Sequence, residues 1–126
     1  RTKYTTNSGL LDLRQAVADR YKADYGISYG ADEVIITAGG KQALFHAALA
    51  LFGRGDEVIT HTPGWPTIVE QIKLAEAAPV VVRTHAETGF VPTAAALLSA
   101  ATARTRGLVI NSPGNPTGAL LSEADA

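Results

Sequence analysis

The chain lacks cysteine altogether, and this absence excludes several kinds of chemistry. None of its 126 residues is cysteine, so disulfides, thiolate catalysis and cysteine-ligated zinc or iron–sulfur centres are excluded. A chain without cysteine is compatible with a reducing compartment, and we expect a cytoplasmic location. Methionine is absent as well. Since no initiating residue is present, we expect the chain to be a piece of a longer protein.

The chain also carries no large excess of positive or of negative charge. Eleven Lys and Arg residues face twelve Asp and Glu residues, which gives a net charge of -1. Domains that bind nucleic acid normally carry a basic face, so we expect no nucleic-acid partner. No apolar run approaches the ~20 residues that a membrane-spanning helix needs, so we expect no membrane partner either. A hydrophobic content of 46% with 18% charged residues is typical of a folded globular domain.

Turn residues divide the sequence into alternating helical and extended segments. Leu10, Leu13, Val17 and Tyr21 recur every three or four positions, which predicts an amphipathic helix ending near Gly26. Further helices are predicted after Gly39-Gly40, Pro66 and Thr93, and another is predicted to start at Ser122, with Asp125 three residues later. Short apolar strands are predicted at 34–37, 58–60, 80–82 and 107–110. Short, fully apolar strands between helices are typical of parallel sheets. The predicted fold class is therefore α/β: three layers, with a mostly parallel sheet and helices on both faces.

In such sheets, ligands bind beyond the carboxyl ends of the strands. The segments that follow three predicted strands are 37–41, 61–65 and 111–115, and they hold the least common residues of the chain. These three loops are therefore the predicted site.

Gly39-Gly40-Lys41 joins a predicted strand to a predicted helix. Two glycines allow close approach of the backbone, and the helix N-terminus offers N–H groups and a positive dipole end, which suits a phosphate. The alternative is a plain tight turn. It is not a Walker A loop, because Ile35 and Gln42 occupy positions that require glycine and serine or threonine.

Trp65 and Asn115 are the other two candidates. Trp65, the only tryptophan, either stacks on a planar ligand or packs beneath its loop. Asn115 lies in a Pro- and Gly-punctuated double turn, which either aims its amide at a phenolate or carboxylate oxygen or serves only as a turn. His46, His61 and His85 show no metal-ligand spacing, so we predict no metal site and interpret all three as structural.

With these residues in place, five segments taken in order resemble the class I/II aminotransferases, which are pyridoxal-phosphate-dependent enzymes of fold type I. The segments are Tyr4–Gly9 with Leu13-Arg14, Ile36–Leu44, Gly55–Val58, Pro63–Trp65 and Ser112–Gly118. The last one contains the NPTG signature of the family. The resemblance covers nearly the whole chain and is closest to the aspartate aminotransferase type. It implies that residues 1–126 form the N-terminal part of the cofactor-binding large domain, without the rest of that domain and without the small domain.

The resemblance implies a role for each matching position. Backbone N–H groups of Gly40 and Lys41 would bind the phosphate of pyridoxal 5'-phosphate. Trp65 would stack on the pyridine ring, and Asn115 would hydrogen-bond the phenolic oxygen. Both Trp65 and Asn115 would also contact the substrate. Tyr4 would reach the phosphate bound in the neighbouring subunit of a homodimer.

The lysine that forms the Schiff base in this family is expected to lie outside the chain. The lysines present are Lys3, Lys22, Lys41 and Lys73, and none corresponds to the family's lysine. We therefore predict no catalytic residue in this chain, and we expect the 126 residues alone to be inactive.

For the intact protein, the resemblance implies transfer of an amino group between an amino acid and a 2-oxo acid. Two alternatives are open at this point. One is a pyridoxal-phosphate-dependent lyase or synthase of the same superfamily. The other is a non-catalytic α/β module that binds a phosphate-bearing ligand or a protein.

Overall fold

The computed structural model describes residues 4–123, and the chain divides into two units, residues up to Ala43 and residues from Leu44 onward. The first unit contains helix α1 (Leu11–Tyr25), which ends at Gly26 in a left-handed conformation (φ 71°). A single 3-10 turn follows at Ala31–Glu33. Arg14 donates from Nη1 to the carbonyl of Ala31 at 2.8 Å and so ties this turn to α1. The predicted first helix is confirmed, although Ala18 is its one buried residue.

The strand predicted at 34–37 is wrong. Val34 has an extended backbone, and Ile36 donates its N–H to the carbonyl of Ser8 at 3.0 Å, but the segment forms no ladder with another strand among the described residues. A β-branched run favours extended backbone, whereas a strand also needs a hydrogen-bonded neighbour along its length. Gly9 is required here, because a Cβ at this residue would lie 2.7 Å from Cβ of Ile36.

Helices and strands alternate from residue 40 onward. The elements are α2 (Gly40–Leu51), β1 (Glu57–Thr62), α3 (Pro66–Leu74), β2 (Ala78–Arg83), α4 (Ala94–Ser99) and β3 (Thr105–Leu108). Pro66 occupies the first turn of α3, where its missing N–H is tolerated. Thr93 caps α4 by accepting the N–H of Ala96 at 3.2 Å. The helices predicted after Gly40, Pro66 and Thr93 are thus confirmed.

The three strands form one parallel sheet in the order β2-β1-β3. β3 begins two residues before the predicted strand, and Val109 extends its pairing by donating to Ile59 at 2.9 Å. The predicted α/β class with parallel strands is confirmed, with three strands described where four were predicted. Because β1 and β3 are parallel neighbours, the loops that follow them leave the sheet at the same edge.

The core lies between α3 and the sheet. Its buried residues are Val58, Ile68, Ile72 and Ala77, and Phe52, Trp65 and Val109 pack against them. Gly107 of β3 is required by this packing, since a Cβ there would lie 2.6 Å from the ring of Phe52.

The part of the chain that the structure describes contains no helix long and apolar enough to cross a membrane. Within residues 4–123 no group of three or more His, Cys, Asp and Glu side chains could hold a metal ion. The helix start predicted at Ser122 depends on Asp125, which lies outside the described residues.

Candidate functional site

The loop before α2 is held in one shape by its own hydrogen bonds. Gly39 has φ +83°, a conformation that glycine adopts without strain. Its N–H donates to the carbonyl of Thr37 at 2.8 Å, and the hydroxyl of Thr37 donates back to the carbonyl of Gly39 at 3.0 Å. Gln42 adds a third contact, because its side-chain oxygen accepts the N–H of Ala38 at 2.6 Å.

Gly40 begins α2, and neither its backbone conformation nor its described neighbours require glycine at this position. Its φ lies outside the left-handed range, and a Cβ built on it would meet no described atom within 4 Å. Glycine near a helix start is slightly unfavourable compared with alanine. The open space in front of Gly40, together with the N–H groups that point out of a first helical turn, therefore fits an anion that must approach the backbone closely.

Lys41 is the second residue of α2, and its side chain is exposed. Its backbone belongs to the same first turn as Gly40. The two residues predicted to bind a phosphate are thus adjacent at one helix tip, as the sequence indicated.

Trp65 closes the loop that follows β1. The loop contains a cis peptide bond between Thr62 and Pro63. Gly64 cannot carry a side chain, because a Cβ would lie 2.5 Å from the carbonyl oxygen of His61. Trp65 is partly buried and packs against the core. The packing interpretation of Trp65 therefore holds for part of the ring, and the exposed remainder lines a groove of about 250 Å³.

His61 is the penultimate residue of β1 and lies next to this loop. Its side chain is buried at 7% exposure, and burial lowers the pKa of its imidazole. Its Nδ1 makes no hydrogen bond to the described residues. A neutral buried imidazole of this kind agrees with the structural interpretation of His61.

The loop after β3 is a double turn that presents Asn115 at the surface. Asn111 accepts the backbone N–H of Asn115 through its side-chain oxygen at 3.0 Å. Gly114 and Gly118 close the turns, with the N–H of Gly118 donating to the carbonyl of Gly114 at 2.6 Å. The peptide bonds that precede Pro113 and Pro116 are both cis. The exposed side chain of Asn115 is thus carried by a backbone that Asn111 holds in place.

The candidate residues fall in both units. Tyr4, Gly40 and Lys41 belong to the first, and Tyr4 is fully exposed. Trp65 and Asn115 belong to the second, where they follow the parallel neighbours β1 and β3 and so lie at the same edge of the sheet.

Sequence reasoning missed two side chains that shape these loops, Gln42 and Asn111. Both act through hydrogen bonds to the backbone of their own loop. For Gln42, the signal available in the sequence was a glutamine at the third position of a predicted helix, which is a common capping position.

Comparison with known proteins adds an independent line of evidence. Residues 1–126 match the family described as aminotransferase class I and II. The probable aspartate/prephenate aminotransferase of Thermus aquaticus is 43% identical over 123 residues, which cover 98% of this chain and 32% of that protein. The aspartate aminotransferase of Rhizobium meliloti (strain 1021) is 40% identical, with 98% and 30% covered.

Solved structures give the same result for the fold. The aspartate aminotransferase from Thermus thermophilus with maleate superposes with a TM-score of 0.90 at 42% identity, covering 98% of this chain and 32% of that one. The aromatic aminotransferase from Pyrococcus horikoshii OT3 gives 0.91 at 38% identity, covering 98% and 34%. This chain spans about a third of the length of these relatives. With its parallel sheet, its glycine turn before α2 and a match along its whole length, the chain belongs to the class I and II aminotransferase family.

Proposed function

We propose that the protein carrying this chain is a pyridoxal-phosphate-dependent aminotransferase, which moves an amino group between an amino acid and a 2-oxo acid. The observation that carries the proposal is the family match over residues 1–126, read together with the open, anion-compatible turn at Gly40. Relatives named for aspartate, aromatic and alanine aminotransferases all resemble the chain, so the proposal stays at the level of amino acid and 2-oxo acid.

In this proposal, the chain contributes the phosphate end of the cofactor site. Gly40 and Lys41 bind the phosphate through backbone N–H groups, since the first turn of α2 directs them outward. The absent Cβ of Gly40 leaves the space that the phosphate oxygens need. When bound, the cofactor supplies the electron sink for amino transfer.

The second unit orients the ring of the cofactor. The exposed part of Trp65 stacks on the pyridine ring, and its packed part, held against the core, limits tilting of that ring. The amide of Asn115 donates to the phenolic oxygen, with Asn111 fixing the backbone from which it projects. Trp65 and Asn115 also contact the substrate in this proposal.

Tyr4 is proposed to act across a homodimer. Its side chain is fully exposed in this chain, which leaves the phenol available to the phosphate of a neighbouring subunit. We further place the protein in the cytoplasm, consistent with a chain that contains no cysteine.

Isotope transfer tests the proposed reaction. The full-length protein, supplied with pyridoxal phosphate, is incubated with a ¹⁵N-labelled amino acid and an unlabelled 2-oxo acid. The expected product is a new amino acid carrying ¹⁵N, formed in equal amount to the 2-oxo acid consumed. Release of ¹⁵N-ammonium or an elimination product would instead assign the protein to a lyase or synthase. Absence of turnover with any amino donor, despite bound cofactor, would contradict enzymatic function.

A further inference from the structure

Two side chains fasten the double turn that follows β3. The side-chain oxygen of Asn111 accepts the N–H of Asn115 at 3.0 Å, and the hydroxyl of Ser112 accepts the N–H of Leu121 at 2.9 Å. The first bond holds the residue that carries the exposed amide, and the second holds the returning chain. Both bonds lie within the chain, so no ligand is needed to shape the loop.

Asn111 connects this loop to the sheet. Shortly before it, Val109 donates its N–H to the carbonyl of Ile59 at 2.9 Å, so the parallel pairing of β3 with β1 reaches almost to Asn111. From Asn111, one side-chain bond leads to the backbone of Asn115. This bond is therefore the direct link between the paired part of the sheet and the residue that carries the amide.

Holding the backbone of Asn115 favours binding more than it favours folding. The side chain of Asn115 is exposed, and a surface side chain by itself contributes little to stability. A polar group that is already held in one position, in contrast, reduces the entropy that is lost when a ligand binds. The loop also leaves β3 at the edge of the parallel sheet where α/β folds bind their ligands.

We propose that Asn111 is a positioning residue of the amino-transfer reaction. Through the backbone of Asn115, it aims the amide of Asn115 at the phenolic oxygen of the cofactor, and its bond determines how strongly the amide acts on that oxygen. This inference rests on the proposed function, since it takes the phenolic oxygen to be the partner of Asn115. If Asn111 instead only shapes the turn, its loss affects stability and nothing else.

A double-mutant cycle in the full-length protein separates the two roles. Asn111→Leu removes the acceptor, with Asn111→Ala in its place if the leucine variant does not fold. Asn115→Ala removes the amide, and the double variant combines both changes. Thr93→Val is the matched control, because it removes the acceptor of another backbone N–H in the same unit, that of Ala96 at 3.2 Å. For each protein we measure the dissociation constant for pyridoxal phosphate, the pH midpoint of the absorbance change of the bound cofactor, and the melting temperature of the apoprotein.

Asn115→Ala should raise the dissociation constant for pyridoxal phosphate by about tenfold or more, because a hydrogen bond to a charged oxygen is lost. Asn111→Leu should raise it by about threefold or more, since the amide is retained but no longer aimed. Both should shift the pH midpoint upward, because a donated hydrogen bond favours the deprotonated oxygen. In the Asn115→Ala background, Asn111→Leu should change neither quantity further. Thr93→Val should lower the melting temperature alone.

The outcomes distinguish this inference from the proposed function. If the unsubstituted protein does not bind pyridoxal phosphate, or if Asn115→Ala changes neither the dissociation constant nor the midpoint, the proposed site fails and this inference fails with it. If Asn115→Ala has the expected effect but Asn111→Leu lowers only the melting temperature, the site stands and the role of Asn111 is overturned. An effect of Asn111→Leu that is equally large with and without the amide of Asn115 would also overturn it, because Asn111 would then act independently of Asn115.

Discussion

At the scale of single residues, Glu57 shows how a buried charge is stabilised in this chain. Glu57 lies at the start of β1 and is 6% exposed. The hydroxyl of Thr102 donates to it at 2.5 Å, and the guanidinium of Arg104 forms an ion pair with it. The hydrogen bond from Thr102, followed by that from Arg104, holds the pKa of Glu57 below its usual 4.5. These contacts connect the start of β1 with the chain leading into β3.

The lowered pKa of Glu57 predicts a pH-dependent contribution to stability. Because the folded-state pKa is below the unfolded value of 4.5, the carboxylate stabilises the fold fully above that pH, and the stabilisation is lost as the pH falls through the folded-state pKa. Urea unfolding of the chain between pH 7 and pH 3 should therefore show a decline below pH 4.5. Glu57→Gln should be less stable at pH 7 and should flatten this decline.

The control for Glu57 is Glu70→Gln. Glu70 forms an exposed ion pair with Lys73 at 2.8 Å, and exposed pairs of this kind contribute little. This variant should follow the unsubstituted chain at every pH. Equal pH profiles for the two variants would show that Glu57 is not the group responsible.

At the scale of elements, the contact between β3 and Phe52, the residue that follows α2, is set by a glycine. The ring of Phe52 occupies the place where a Cβ of Gly107 would lie, so Gly107→Ala forces the ring or the strand to move. Such overpacking costs about 1–3 kcal/mol. We expect the free energy of urea unfolding to fall by that amount.

Gly53→Ala is the matched control for this substitution. A Cβ at Gly53 would meet no described atom within 4 Å, and its φ is not in the left-handed range. The alanine should therefore be neutral or slightly stabilising, since it reduces the freedom of the unfolded chain. Equal losses at Gly53 and Gly107 would contradict the close contact with Phe52.

The helices and strands also show which parts of the fold could be predicted from the sequence. Helices α1 to α4 and strands β1, β2 and β3 were predictable, because periodicity, Pro66 and Thr93 are local signals. The absence of a strand at 34–37 was not predictable, since its apolar run looks like the run in β2 and only the presence of a paired neighbouring strand distinguishes the two. At the proposed site, Trp65 and Asn115 were singled out by their place after strands, and Gly40 by its place after an apolar segment that was predicted to be a strand. Gln42 and Asn111 were missed, because their hydrogen bonds depend on the loop shape that they help to create.

At the scale of the whole molecule, we propose that the chain carries only part of a cofactor site. It spans about a third of its relatives' length, and large apolar side chains such as Leu98 and Tyr25 are exposed on it at 74% and 68%. We expect none of its lysines to be the Schiff-base lysine of the family. We therefore expect the 126 residues alone to bind pyridoxal phosphate weakly or not at all.

Borohydride reduction tests this expectation. The chain is mixed with pyridoxal phosphate, reduced, digested and mapped by mass spectrometry. Scattered labelling of several lysines, each well below one equivalent, is the expected result. One lysine labelled stoichiometrically, with conversion of an added amino acid to its 2-oxo acid, would show that the chain is itself a competent site.

If the turn at Gly40 binds the cofactor phosphate, Gly40→Ala in the full-length protein should weaken the binding of pyridoxal phosphate. Filling the open space should cost about 1–3 kcal/mol of binding free energy, so the dissociation constant for pyridoxal phosphate should rise roughly 5- to 150-fold. The affinity for pyridoxal should not change, and the apoprotein should be at least as stable as before, because alanine favours a helix over glycine. An unchanged affinity of Gly40→Ala for pyridoxal phosphate, with pyridoxal binding more weakly to both proteins, would place the phosphate elsewhere and contradict the account.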